Sequence, residues 1–303
     1  MSSGRPEPAR LSPPARRWPG ERGGSVASPG PVPLRVLPPA VVTRPWRAVA
    51  GRGALHLIER HARAYRHMWL ILLSGVGEPV FYLFSLGLGL GKLVGAVTGP
   101  GGRPVSYAVF VAPALLATSS MNGAIMDSTF NVFFRLKYAK LYDATLATPM
   151  RAGDVALGEI GWALIRGALY ACAFSVVMLA MGLVRSPWAA VALPAAVLTG
   201  FAFAATGMAA TTFMRSWQDF EYVTLVSMPL FLFSTTFYPL SVYPRALQIV
   251  VECTPLYQAV QLMRDLNLGL VGPALLWPAL YLSAMAVAGV LVAARRIGRL
   301  LLT

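Results

Sequence analysis

Residues 238–257 read YPLSVYPRALQIVVECTPLY. The stretch has the length of a membrane-crossing helix and is mostly apolar. It also carries Pro239, Pro244 and Pro255, and two charges, Arg245 and Glu252. Proline has no amide donor and its ring clashes with the preceding turn, so one continuous helix is excluded. Whether this is broken chain at membrane depth or an ordinary loop depends on what surrounds it.

The surroundings are apolar. The chain has 303 residues, 56% hydrophobic and only 13% charged, with a mean hydropathy of +0.60. Soluble domains carry about 25% charged residues, so this is the composition of a polytopic membrane protein. The net charge of +14 does not indicate nucleic-acid binding, because no basic cluster is interleaved with aromatics on a soluble domain. Cys172 and Cys253 stand far apart, without metal-ligand or disulfide spacing. Residues 1–44 are rich in Pro, Gly, Ser and Arg, and a disordered cytoplasmic leader is expected there.

Six apolar windows follow, at about 68–91, 106–134, 160–184, 188–213, 222–240 and 273–294. Translocation disfavours Lys and Arg, so the connections set the orientation. With the N-terminus inside, 20 basic residues fall on the inner side and five on the outer, the five including Arg245 and Arg264. The expectation is an all-α polytopic protein with six transmembrane helices over 68–303 and both termini cytoplasmic.

Before the first window, residues 45–67 predict an amphipathic helix lying flat at the inner interface. At 100° per residue, Leu55, Ile58, Ala62 and Tyr65 share one arc, and Arg52, His56, Arg60, Arg63 and His67 another. A simple positive anchor is the alternative.

The opening stretch then falls on the outer side, between windows five and six. Irregular backbone at membrane depth must be buried in protein or line a wet cavity. The expected solution is that window five stops near Tyr238 and ALQIVVE forms a short re-entrant helix. A second helix, QAVQLMRDLNLG, then climbs back out. Tyr238, Pro239, Tyr243, Pro244, Pro255 and Tyr257 would form this outer gate, and an ordinary amphipathic outer loop is the competing reading.

Catalytic signatures are missing. LGLGLGKL, residues 86–93, lacks the spacing of a phosphate loop, which needs Gly-x-x-x-x-Gly-Lys-Ser/Thr. Its small residues suit close helix packing instead. No catalytic constellation, metal-ligand set or cofactor motif is present in the sequence.

Ionisable residues inside membrane windows are costly and mark function by default. Glu78, Asp127 and Arg166 are the three here. At 1.5 Å per residue, Asp127 and Arg166 both lie about 10 Å from the inner edge. An Asp127–Arg166 ion pair is therefore reasonable, with Glu78 a rival partner for Arg166 and cargo contact or proton relay as other uses. Ser119, Met121 and Asn122 add a polar, flexible patch that lines a passage or glues helices. With Glu78, Phe231 and Phe233 they make up the candidate substrate path.

The inner loop from Arg135 to Glu159 carries RLKYAKLYDATLATPMRAGDVALGE, a stiff helix or an inert linker. Together LYDATLATPMRAGDVALGE and FYPLSVYP…LQIVVECTPLYQAVQLMRDLNLG resemble the membrane subunits of ABC-2 type transporters. The likeness is strongest to the nodulation lipo-oligosaccharide exporter and daunorubicin-type efflux branch. That resemblance implies a type V ABC exporter fold, and a permease working as a homodimer with two soluble ABC ATPase subunits in a bacterial inner membrane.

It further implies a coupling region at Lys137, Tyr138, Lys140, Leu141, Tyr142, Asp143, Thr148, Pro149 and Met150. A second inner contact would lie at Trp217 and Asp219. Relatives often have Gly in the middle of the triplet that here reads Ser234-Thr235-Thr236. The implied cargo is an amphipathic glycolipid or lipo-oligosaccharide, with hydrophobic drug efflux as the alternative. A proton-coupled secondary transporter and a lipid-phosphate transferase are the readings outside the family.

Overall fold

The computed structural model describes residues 52–65, 77–137 and 152–302. Helix α1 is Arg52–Tyr65. Helix α2, residues 77–94, is wound as a π-helix over Leu83–Leu90 and ends at Gly95. Helix α3, residues 107–137, has a π-helical turn at Asp127–Asn131. Then come α4, Ala152–Ala180, α5, Ala192–Thr211, and α6, Phe220–Phe233. The chain closes with α7, Arg245–Glu252, α8, Pro255–Leu268, and α9, Leu276–Leu302.

Two strands correct the all-α expectation. β1, Ala96–Thr98, pairs antiparallel with β2, Pro104–Ser106, with Val97 opposite Val105. The glycine-rich turn between them reverses the chain, and two β-branched residues face each other across the ladder. The fold is mostly helical rather than wholly so.

Four helices among the described residues are long and apolar enough to cross a membrane: Tyr107–Phe134, Leu157–Ala180, Pro187–Thr211 and Pro273–Arg296. The other two expected spans differ. Residues 68–76 of the first lie outside the described residues, and α2 runs on to Val94. The fifth is α6, which stops at Phe233, short of the expected Leu240. Its 14 residues span about 21 Å, less than the roughly 30 Å hydrocarbon core.

The early stop has a local cause. Thr235 has φ +60°, a left-handed conformation that a β-branched side chain rarely takes. Ser234 Oγ caps the helix by donating to Phe231 O and shares a hydrogen bond with Thr236 Oγ1 at 2.8 Å. The third window also ends early, at Ala180 instead of Val184, as Leu183 N donates to Met178 O and Gly182 N to Leu179 O.

Helices α3 and α5 form the centre, with α4, α8 and α9 packed around them. Phe110, Leu115, Met121, Phe174, Leu256 and Leu282 are fully buried in this core. Helices α5 and α9 approach backbone to backbone. A Cβ on Gly289 would stand 2.7 Å from the Ala205 carbonyl carbon and 2.8 Å from Thr206 N. Hydroxyls in these helices are satisfied by the preceding turn, as Thr118 donates to Ala114 O and Thr199 to Ala195 O.

Helix α1 packs along the start of α4. Leu57 is buried against it and Leu55 points outward. A Cβ on Gly161 would meet Ile58 at 2.8 Å, and the buried His61 Nε2 lies 3.3 Å from the buried Glu159 Oε1. The face of α1 that docks is therefore Leu57, Ile58 and His61, rotated from the arc that periodicity alone picks out.

Candidate functional site

The π-helical turn in α3 positions the first part of the site. Asp127, buried there, receives Arg166 Nε at 2.6 Å, and the Arg166 Nη2 also contacts its other oxygen. Asn131 Nδ2 donates to the same carboxylate at 3.1 Å. The turn widens the backbone, and Thr211 Oγ1 of α5 reaches Ser128 O at 3.1 Å as well as its own Gly207 O at 2.9 Å. π-Turns of this kind occur often where a helix must present a side chain out of register.

Beside the pair lies a cavity of about 300 Å³. Glu78, Ser119, Asn122 and Phe231 of the candidate path line it, together with Tyr82, Arg166 and Tyr170. It mixes carboxylate, amide and hydroxyl groups with aromatic faces. Met121 does not join them: it is wholly buried and lines a separate cavity. Phe233 lines neither cavity and packs instead on Tyr243, ring centroids 6.0 Å apart.

The turn between α5 and α6 is a 3-10 helix, Trp217–Asp219, closed by a capping box between Ser216 and Asp219. Asp219 Oδ2 accepts from Arg215 N at 2.6 Å and Ser216 N at 3.1 Å. These two amides hold its carboxyl below the usual carboxylate range, with smaller help from the Arg215 charge. Trp217 stacks edge-on against Phe130 (5.1 Å) and sits 5.3 Å from Phe220, so aromatics staple this turn to the C-terminal part of α3. Lys137 ends that helix. Tyr138, Lys140, Leu141, Tyr142, Asp143, Thr148, Pro149 and Met150 lie outside the described residues.

Beyond α6, Pro239 precedes the short 3-10 turn Leu240–Val242, and Pro244 precedes α7. Tyr238 and Tyr243 stack 5.6 Å apart, and Gln248 Nε2 donates to Tyr243 O at 2.8 Å. The second helix begins at Pro255, three residues before the expected Gln258, because proline suits the first helical position. Gln258 Nε2 donates to Glu252 O and Tyr281 Oη to Cys253 O, tying α7, α8 and α9 at one junction. Tyr257 sits half-buried one turn on. Helix α8 is enclosed by α3, α5 and α9 rather than lying on the surface.

Arg264 is the main residue that sequence reasoning missed, having been counted among outer-side charges. It is 3% exposed. Its guanidinium lies 3.8 Å over the Phe110 ring, and it donates to Phe110 O at 3.2 Å and Thr235 O at 2.8 Å. One signal was present: Arg264 follows the buried Leu256 and Val260 at four-residue steps, which is the inward face of α8.

Among the described residues no group of His, Cys, Asp and Glu is placed to hold a metal.

Residues 54–268 match the family model described as ABC-2 type transporter. The chain is 37% identical over 199 residues to Nodulation protein J of Rhizobium leguminosarum bv. trifolii, covering 65% of this chain and 74% of that one. It is 34% identical over 199 residues to Nodulation protein J of Rhizobium meliloti (strain 1021), with the same coverage. Nodulation protein J of Sinorhizobium fredii is 33% identical over 221 residues, 73% of this chain and 81% of that one.

Proposed function

Since the chain belongs to the ABC-2 type transporter family, we propose that it is the membrane-spanning permease of an ATP-driven exporter. Its proposed cargo is an amphipathic glycolipid or lipo-oligosaccharide. The observation that carries the cargo class is the cavity beside Asp127 and Arg166. Glu78, Asn122 and Ser119 offer the acceptors and donors that sugar hydroxyls require, and Tyr82 and Phe231 offer faces on which a sugar ring or acyl chain packs. A purely hydrophobic drug would leave those polar groups unpaired.

On this reading two copies form the passage, lined by α2, α3 and α6. Two soluble ATPase subunits bind ATP and Mg and act on Lys137–Met150 and on the Trp217–Asp219 turn. The membrane is the bacterial inner membrane, with both termini cytoplasmic and six spans. Helices α7 and α8 re-enter the bilayer from outside, a placement supported by the enclosure of α8 among α3, α5 and α9.

The test is a gentle-detergent pull-down of the tagged chain, followed by ATP-dependent uptake into inverted vesicles. A fluorescent lipo-oligosaccharide and a hydrophobic dye serve as competing cargoes. The reading expects a stoichiometric ATPase whose turnover the lipo-oligosaccharide raises, with Asn122→Ala lowering that stimulation. Uptake of the dye alone would move the assignment to drug efflux. A chain that never co-purifies with an ATPase would remove the motor.

A further inference from the structure

A second cavity, of about 970 Å³, runs between α3, α5 and α6. Its walls are apolar, with Phe203, Val223, Val226, Leu230 and Met285 among them. Thr129 and Thr206 also line it, yet both hydroxyls are already spent on their own helices, donating to Ile125 O and Ala202 O. Charge is confined to one end, where Arg215 and Asp219 line the mouth.

A second cation lies beside that mouth. Arg296 is 4.0 Å over the ring of Phe213, a lining residue, donates from Nη2 to Thr212 O at 3.5 Å, and has a buried Nε without a hydrogen-bond partner. Asp219, also on the lining, opposes one of the two guanidinium groups, so this end keeps one positive charge in excess. The groove is thus amphipathic along its length, cationic at one end and apolar beyond.

Its dimensions match one leaflet. From Tyr222 to Leu230 the lining follows α6 for about 12 Å at 1.5 Å per residue, against about 15 Å for half of a 30 Å hydrocarbon core. We propose that this groove holds an acyl chain of an anionic phospholipid from the inner leaflet, its phosphate set against Arg215 and Arg296. An extended chain along α6 removes Val223, Val226 and Leu230 from the need for a protein neighbour, and the two guanidinium groups select a charged headgroup over a zwitterionic one. The site is lined by other residues than the polar cavity; its assignment to the inner leaflet rests on the orientation proposed above, and it does not depend on which cargo is exported.

The test uses the full chain in phosphatidylcholine vesicles doped with a minor fraction of photoreactive lipid. The reactive group sits mid-chain, on either phosphatidylglycerol or phosphatidylcholine. Peptides of α6 and the segment around Met285 should be labelled about fivefold more by the phosphatidylglycerol probe, the scale of one arginine near an anionic lipid. Arg215→Gln with Arg296→Gln should bring the two probes level. Val226→Trp, which fills the groove, should abolish labelling there by both.

Equal labelling by the two probes in the unaltered chain would overturn the headgroup assignment. Labelling indifferent to both the glutamine pair and the tryptophan would overturn the site. A disulfide between two copies of a Val226→Cys chain would show that a second protomer, not lipid, fills the groove. The readout needs neither ATP nor a motor subunit, so its failure leaves the exporter reading intact.

Discussion

Replacing Gly289 by alanine tests the packing at the centre of the fold. The added Cβ would lie 2.7 Å from the Ala205 carbonyl carbon, 2.8 Å from Thr206 N and 2.9 Å from Ala205 Cβ. Two of those three atoms are backbone, which cannot rotate aside. Ordinary contact begins at 3.4 Å, so α9 and α5 must separate by about 0.7 Å where they cross. A gap of that size forfeits roughly a quarter to a half of each dispersion contact along the seam, and overpacking of this kind costs about 1–3 kcal/mol. Alanine also gains about 0.5–1 kcal/mol over glycine in helix propensity. Gly167 supplies the control, because it lies mid-helix in α4 and a Cβ there meets nothing within 4 Å. The propensity gain is common to both variants, so their difference isolates the clash. Thermal unfolding of the two purified variants in one detergent should place Gly289→Ala clearly below wild type and Gly167→Ala at or above it. Equal melting temperatures would refute the reasoning, since the seam would then be loose enough to absorb a methyl group.

Four further outcomes are expected. Thr235→Gly should stabilise the chain by about 1 kcal/mol, by relieving a left-handed β-branched residue, read as a raised melting temperature. Arg264→Met should cost about 3 kcal/mol by removing the buried charged donor to the Phe110 and Thr235 carbonyls, and Arg264→Lys should not restore it, lacking the fork that reaches both; unfolding of both variants checks this. In a double-mutant cycle, Asp127→Asn and Arg166→Met should each destabilise more than the pair together, because one orphaned buried charge is worse than none; and if Asp127→Asn keeps the pH profile of transport, proton coupling through that residue is excluded. The depressed folded pKa of Asp219 means its capping contribution is fully present above the unfolded value near about 3.9 and is lost as pH falls through the lower folded value; hydrogen exchange at Arg215 and Ser216 should accelerate in that acid window, and in Asp219→Ala it should be fast at every pH.

How much of this was legible depends on what each feature rests on. Apolar windows are a one-dimensional signal, and four of them coincide with long helices to within a few residues. The break between α7 and α8 is equally visible, since the prolines rule out one continuous helix, though the second helix starts at Pro255 and not at the expected Gln258. The stop of α6 was not. Nothing in Phe-Ser-Thr-Thr-Phe requires a left-handed residue, and beside the local Ser234 and Thr236 bonds the grip of Arg264, 29 positions away, holds Thr235 in place. Arg264 itself was misread because a charge count treats every arginine as a topological marker, whereas its place on the Leu256–Val260 face makes it an interior one. The docking of α1 was hidden for a similar reason. Periodicity ranks residues by hydropathy, and His61 is buried by a carboxylate 98 positions away.

That docking has a mechanical meaning. With Ile58 against Gly161 and His61 against Glu159, α1 and the first turns of α4 are keyed together. If, as proposed, a motor acts on the loop that precedes α4, a push delivered there reaches α1 as well. If α1 rests among headgroups, each stroke must displace lipid laterally, and the viscosity of that leaflet becomes a brake on the cycle. Turnover should then slow as the inner leaflet is stiffened, even with cargo and ATP in excess.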